Sequence, residues 1–181
     1  LNSMEEKNQM LISKKLLEAI NQQIGNEFGA SLEYLQIASY FDSEDMLKLA
    51  QIFFDQAEEE RVHAMKLLHY VLDTGGEVSI PAIPAPIVKF DSPVHAVKTA
   101  LDWEETVTKQ INNLMDIAVD EKDYIAQEFL RWFVNEQLEE IAKMSTILNI
   151  VKRSKDNMLM AETYIVDTLA DFTAVESGQQ A

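Results

Sequence analysis

AEEERVHAMKLL, residues 57–68, sets Glu60 and His63 into an otherwise apolar helical stripe. The stripe runs through Phe53, Ala57, Ala64, Leu67 and Val71, the spacing of a helix with one buried face. Glu60-Arg61-Val62-His63 thus aims two metal-type donors, one turn apart, at the same interior. Oxygen plus imidazole suits iron or manganese. An isolated E-x-x-H is weak, but this one has a setting. Glu27 precedes Glu60 by 33 positions, and Glu104 precedes Gln137 by 33. The first midpoint falls in Asp42-Ser43-Glu44-Asp45 and the second in Asp120-Glu121-Lys122-Asp123, two polar tetrads that read as turns. Residues equidistant from the turn of an antiparallel hairpin lie at one height. Two such hairpins side by side bring these side chains to one level, which is how a two-metal carboxylate site is built in a bundle.

Outward from that centre the stripes predict helices. The first spans about 13–41, capped by Ser13, with Ile20, Ile24, Glu27, Ser31, Leu35 and Ala38 on one face. The second, about 44–74, is expected to be capped by Asp42 or Ser43 and is stopped by Thr74-Gly75-Gly76. Ser92-Pro93 opens the third, about 93–119, which carries Val97, Leu101, Glu104, Thr108, Ile111, Met115 and Ala118. The fourth, about 124–152, carries Phe129, Phe133, Gln137, Glu140, Met144, Leu148 and Val151. A short fifth, about 156–172, has Met158, Ile165, Leu169 and Phe172 on its apolar side.

Between the second and third helices, GGEVSIPAIPAPIVKFDS (75–92) holds Pro81, Pro84 and Pro86, which bar a helix interior. An ordered connection this long needs a structural reason. A crossover along the length of the bundle supplies one, giving a topology with one or two long crossovers instead of a simple meander. Val78-Ser79-Ile80 is a candidate short strand. The fold class is therefore all-α, one domain over residues 1–181, a four-helix bundle with a long crossover and a short fifth helix.

Composition narrows the function. With 15 basic residues against 31 acidic, a net of −16, the chain lacks the surplus of cations that nucleic-acid binding needs. It suits attraction of cations instead. Having no cysteine, it can form no disulfide, thiolate metal site or thiol nucleophile. No apolar run approaches the roughly 18 residues of a membrane span, and LNSMEEKNQM has no apolar signal core. A soluble, cytoplasmic protein without nucleic-acid or membrane partners is predicted.

Glu27, Glu60, Glu104 and Glu140 each lie inside an apolar stripe, where an isolated carboxylate is costly unless paired, neutralised or metal-bound. Arg61 and Lys109 do not share the inward phase, so few cations are expected nearby. Two divalent cations would balance four carboxylates. Tyr34 lies two turns beyond Glu27 on the same face. Trp132 reads as core, His69 and His95 as surface, and Gly25-x-x-x-Gly29 as a site of close helix packing.

With EFGASLEYLQIASYF (27–41), AEEERVHAMKLL (57–68), LDWEETVTKQINNL (101–114) and FLRWFVNEQLEEI (129–141), the chain resembles the ferritins, within them the haem-free bacterial ferritins, over about residues 12–172. The resemblance implies a ferritin-like bundle assembling into a homo-oligomeric cage of 24 subunits. It implies ferroxidase activity: Fe(II) is oxidised by O2 or H2O2 at a di-iron centre, and a ferric mineral is stored inside. By position, Glu27, Glu60 and His63 match the first iron site. Glu60 matches the bridge to a second, beside Glu104, Glu140 and Gln137. Glu59, Glu136, Glu139 and Glu140 match a third, and Tyr34 matches the family's tyrosine next to the centre.

Departures sharpen this. Gln137-x-x-Glu140 stands where a second E-x-x-H would be, against the haem bacterioferritins and against a di-iron peroxidase or oxidase of rubrerythrin type, the alternative reading. Arg61 occupies the place of the haem-ligating methionine, so no haem is expected. Gln127 and Leu130 replace acidic residues of the animal three-fold channels, which leaves the entry route open. Gly29 replaces a bulkier residue and is expected to leave room near the centre. A set poor in imidazole and rich in carboxylate predicts a hard, loose site that oxidises iron and passes it on.

Overall fold

Helices α1 (Lys14–Ser43), α2 (Leu47–Asp73), α3 (Pro93–Asp120), α4 (Tyr124–Ser154) and α5 (Met158–Gly178) follow one another with no strand among the described residues. The computed structural model describes residues 10–178 except 156, with side chains as far as 170. Residues 1–9 and the Phe172 side chain, placed above on the apolar side of the fifth helix, lie outside that range. No helix among the described residues is long and apolar enough to cross a membrane.

The two hairpin turns are copies of one another. After α1, the amides of Glu44, Asp45 and Met46 donate to the carbonyls of Tyr40, Asp42 and Phe41; after α3, those of Glu121, Lys122 and Asp123 donate to Ile117, Val119 and Ala118. Each turn places a non-glycine residue at positive φ, Asp45 at 57° and Lys122 at 55°. The ligand-type residues repeat at the same 77-residue offset as these turn residues, so the shared spacing of 33 follows from one turn design used twice.

The connection 74–92 runs beside α1 from end to end. Asn21 donates its side-chain amide to the Glu77 carbonyl and accepts from the Ser79 amide. Glu33 accepts from the Ile87 amide, and Tyr40 packs on Phe90. One crossover thus returns the chain to the α1–α2 turn before α3 starts, and Ser13 at the start of α1 donates to Glu121 in the α3–α4 turn. Val78-Ser79-Ile80 is therefore irregular backbone pinned by the Asn21 side chain, not the strand expected. Gly25 packs against the crossover too: a Cβ there would overlap the Pro81 ring. The G-x-x-x-G segment thus seats the crossover at Gly25, and at Gly29 both the crossover and α3. At Gly29 a Cβ would meet Ile83 of the crossover and Trp103 of α3, so the room it leaves is bounded by these two and not by the residues of the centre. Leu35 is 40% exposed, just outside the buried stripe that Tyr34 and Ala38 occupy.

Ser13, Ser92 and Asp123 cap α1, α3 and α4 through their side chains. The expected cap of α2 by Asp42 or Ser43 does not form. Its N-cap is Met46, without a side-chain bond, and Glu162 of α5 accepts from the Lys48 and Leu49 amides instead.

The core is split. One cluster joins Ala30, Ile37, Phe41, Phe53, Ala57, Ala100 and Met144; the other joins Ile24, Leu67, Val107, Ile111 and Phe133. In each of the four long helices the gap between the clusters holds the residues singled out above: Glu27, Glu60 with His63, Glu104, and Gln137 with Glu140.

Candidate metal centre

Glu27, Glu60, Glu104, Gln137 and Glu140 are each at most 5% exposed, as is His63. Ligand atoms of Glu27, Glu60 and His63 come within 4.8 Å of one another, the single such group among the described residues able to hold a metal ion. His63 Nδ1 lies 3.2 Å from Glu60 Oε2. Glu104 and Glu140 complete the layer from the second hairpin. Gln137 turns its amide nitrogen to Glu104, 3.1 Å from Oε2 and 3.4 Å from its carbonyl, and 3.2 Å from the Thr108 hydroxyl. In this arrangement Gln137 acts as a donor to a carboxylate. Tyr34 donates its hydroxyl to Glu104 Oε1.

Burial and mutual repulsion favour the protonated form of three of these carboxyls. Burial first, then the Glu60 charge, holds Glu27 well above the usual carboxylate range. Burial, Glu60 and Glu140 push Glu104 up to about 8. Burial raises Glu140 to about 7 although Lys143 opposes it. Burial pulls the His63 imidazole down, but the bond to Glu60 and the charges of Glu60, Glu140 and Glu136 outweigh it, and the net shift is upward. Tyr34 is held neutral by burial and by the surrounding carboxylates. Glu27 Oε2 has no hydrogen-bond partner. A buried carboxylate oxygen without a donor, close to a second carboxylate, fits a cation.

Glu59, Glu136 and Glu139 stand apart from this buried layer. With His63, Glu140 and Lys143 they line a pocket of about 690 Å³ open on the α2–α4 face. Trp132, half-buried, packs on core Phe133 and also forms a wall of the same pocket: its ring meets His63 edge-on at 5.4 Å, with Lys66 Nζ 3.9 Å above it. Arg61 is exposed and pairs with Glu58, and His69 and His95 lie away from the centre.

Three residues escaped the sequence reading. Gln23 donates to Glu27 at 2.8 Å. Gln56 donates to Glu60 at 3.2 Å and to Glu140 at 2.8 Å. Each glutamine stands four positions before its glutamate, a repeated Gln-x-x-x-Glu that was the available signal. Lys143 corrects the expectation of few cations: its ammonium is 3.0 Å from Glu59 and 3.7 Å from Glu140. Its place one turn after Glu140 was its signal.

The chain is similar to known proteins over most of its length. A family model described as Ferritin-like domain matches residues 17–154. Ferritin BfrB of Mycobacterium tuberculosis is 42% identical over 146 residues, 81% of each chain. A bacterial non-heme ferritin of Staphylococcus aureus is 39% identical over 147 residues, 81% of this chain and 89% of that one. Among solved structures, an open-pore ferritin from the hyperthermophilic archaeon Archaeoglobus fulgidus superposes with a TM-score of 0.83 at 34% identity, covering 86% of this chain and 97% of that one.

Proposed function

The chain belongs to the ferritin family, and from that premise we propose that it stores iron, oxidising Fe(II) at the buried layer between α1 and α4. Twenty-four copies enclose the ferric mineral in a soluble, cytoplasmic cage. The observation that carries the reading is the unpartnered Glu27 Oε2 within the Glu27–Glu60–His63 group.

Two Fe(II) ions are the substrate. Glu27, Glu60 and His63 hold the first, and Glu60 also reaches the second, beside Glu104 and Glu140. Binding replaces the protons of the raised carboxyls, so each cation that enters expels acid. Each Fe(II) yields one electron to O2 or H2O2. The ferric product is harder than the ferrous ion, which favours a carboxylate-rich set during oxidation. With one imidazole in the layer and Gln137 turned to Glu104, the second position is the weaker, and iron leaves through the acidic pocket toward the store.

Anaerobic Fe(II) soaks with anomalous diffraction test this. Two strong peaks are expected, one among Glu27, Glu60 and His63 and one beside Glu104 and Glu140. An empty layer would sink the assignment. Excess Fe(II) in air should form a mineral inside a particle of cage size on gel filtration; two retained irons per chain and no mineral would contradict storage.

A further inference from the structure

Lys143 holds both edges of the pocket to the centre. Its ammonium donates to Glu59 Oε2 at 3.0 Å and to Gln56 Oε1 at 2.5 Å, and stands 3.7 Å from Glu140 Oε1. Its side chain is 26% exposed and lines the acidic pocket. An ammonium can only donate, so the atom of Gln56 facing it must be the amide oxygen. That fixes the fully buried Gln56 amide with its nitrogen inward, on Glu60 and Glu140. The cation thus neutralises carboxylates on the pocket side and, through Gln56, orients donors on the centre side. Glu140 belongs to both. A divalent ion bound by Glu59 and Glu140 would lie a few ångströms from the ammonium, where like charges repel strongly in a part-buried site.

We propose that the Lys143 ammonium is a resident competitor for a cation at the pocket edge of the centre, held by Glu59, Glu140 and Gln56 until an arriving divalent ion displaces it. This rests on the ferroxidase reading of the centre. The flexible four-carbon stem lets the ammonium swing into the open pocket, where Glu136 and Glu139 form further walls. When the ion moves on, the ammonium returns and closes the acidic edge behind it. The position is one of transit, because occupancy by iron must always be won against an attached cation. Lys143 is a positioning residue: it acts through Gln56 and the shared carboxylates.

The test is a calorimetric titration of the metal-free assembled protein with Zn(II), which cannot be oxidised. Two tight ions per chain and a weaker third are expected. Lys143→Met should tighten the third about tenfold, with a smaller change at the first two, which feel the ammonium only through Gln56 and Glu140. Lys143→Arg, which keeps the cation, should restore the weak third ion. If Lys143→Met does not assemble, Lys143→Gln replaces it, and the wild type still decides: a crystal saturated with Zn(II) should show Lys143 moved off Glu59. A third affinity unchanged in the uncharged variants, or a third ion bound with Lys143 still on Glu59, overturns the competitor role and leaves the central sites standing. Absence of the two tight ions overturns the reading beneath it.

Discussion

Tyr34 on α1 donates its hydroxyl to Glu104 on α3, and both side chains are buried. The bond is one of two that lower the Glu104 pKa against the larger effect of burial. In Tyr34→Phe the carboxyl should hold its proton more tightly and accept a metal ion less readily. An outer partner of this kind is worth about ten- to a hundredfold in metal affinity. Zn(II) calorimetry should show that loss at one of the two central ions, with helical content unchanged by circular dichroism. Wild-type affinity for both ions would show the bond to be idle.

The raised groups set a pH dependence. Glu27, Glu104 and Glu140 are all pushed above the ordinary value of 4.5, the last two to about 8 and about 7. The neutral form is favoured in the folded state, so their stabilisation is complete below the unfolded pKa and is lost as pH climbs through the folded one. His63 is raised from 6.5 and acts in the same direction. The metal-free protein should therefore lose Tm between about pH 5 and about pH 8. Zn(II) reverses the trend, since binding needs the ionised ligands, and its Tm increment should grow over that window. Scanning calorimetry with and without chelator reads both slopes. A metal-free Tm that rises through the window contradicts the account.

Glu60 is the charge its neighbours share, raising Glu27, Glu104 and Glu140 alike. Glu60→Gln should relieve that repulsion and leave the metal-free bundle as stable as the wild type or more so, by about 1 kcal/mol. Fe(II) oxidation, followed by stopped-flow absorbance, should fall at least about a hundredfold. A variant that is strongly destabilised yet oxidises iron at the normal rate would place Glu60 among structural residues.

Gly25 and Gly29 separate packing from permissiveness. A Cβ at Gly25 meets Pro81 Cδ at 2.8 Å, whereas at Gly29 it would reach Ile83 and Trp103 at 3.6 Å, ordinary contact. Gly25→Ala should cost about 1–3 kcal/mol by forcing the crossover off α1. Gly29→Ala should be neutral or mildly stabilising, because alanine suits a helix interior better. Chemical denaturation compares them, and equal losses at the two positions would contradict the difference in space.

How far these features were legible depends on the range of the interaction. The turn-centred spacing of Glu27, Glu60, Glu104 and Gln137 was readable because helix phase and hairpin symmetry are local rules applied twice. Gln23 and Gln56 obey a local rule too, but spacing alone does not say that an amide four positions before a buried carboxylate turns its nitrogen onto it. Lys143 needed more: its bonds to Glu59 and Gln56 cross from α4 to α2, and helix phase alone does not fix which cation lies across a groove. The prolines mark the crossover, but its seat on Gly25 depends on a contact 56 residues away along the chain; spacing assigns both glycines to helix contacts, and of the two only Gly29 makes one, with Trp103 of α3.

The cap of α2 is another such long-range device, and it makes the bundle answerable to its fifth helix. Met46 offers no side-chain acceptor, and the first-turn amides of Lys48 and Leu49 donate to Glu162 Oε1 at 2.9 and 3.1 Å. Glu162 is itself buried, and a carboxylate at a helix N-terminus also meets the positive end of the helix dipole. Glu162→Ala should cost about 1–2 kcal/mol, the range of a lost cap. Hydrogen exchange at Lys48 and Leu49 should quicken, and α5 should become the first segment cut by limited proteolysis. Glu162→Gln keeps an acceptor oxygen and should restore most of the protection. Zn(II) binding at the centre should not change in either variant, because the capped turn lies at the far end of α2 from His63. Unaltered exchange at the two amides in Glu162→Ala would mean that α5 rests on the bundle without holding it.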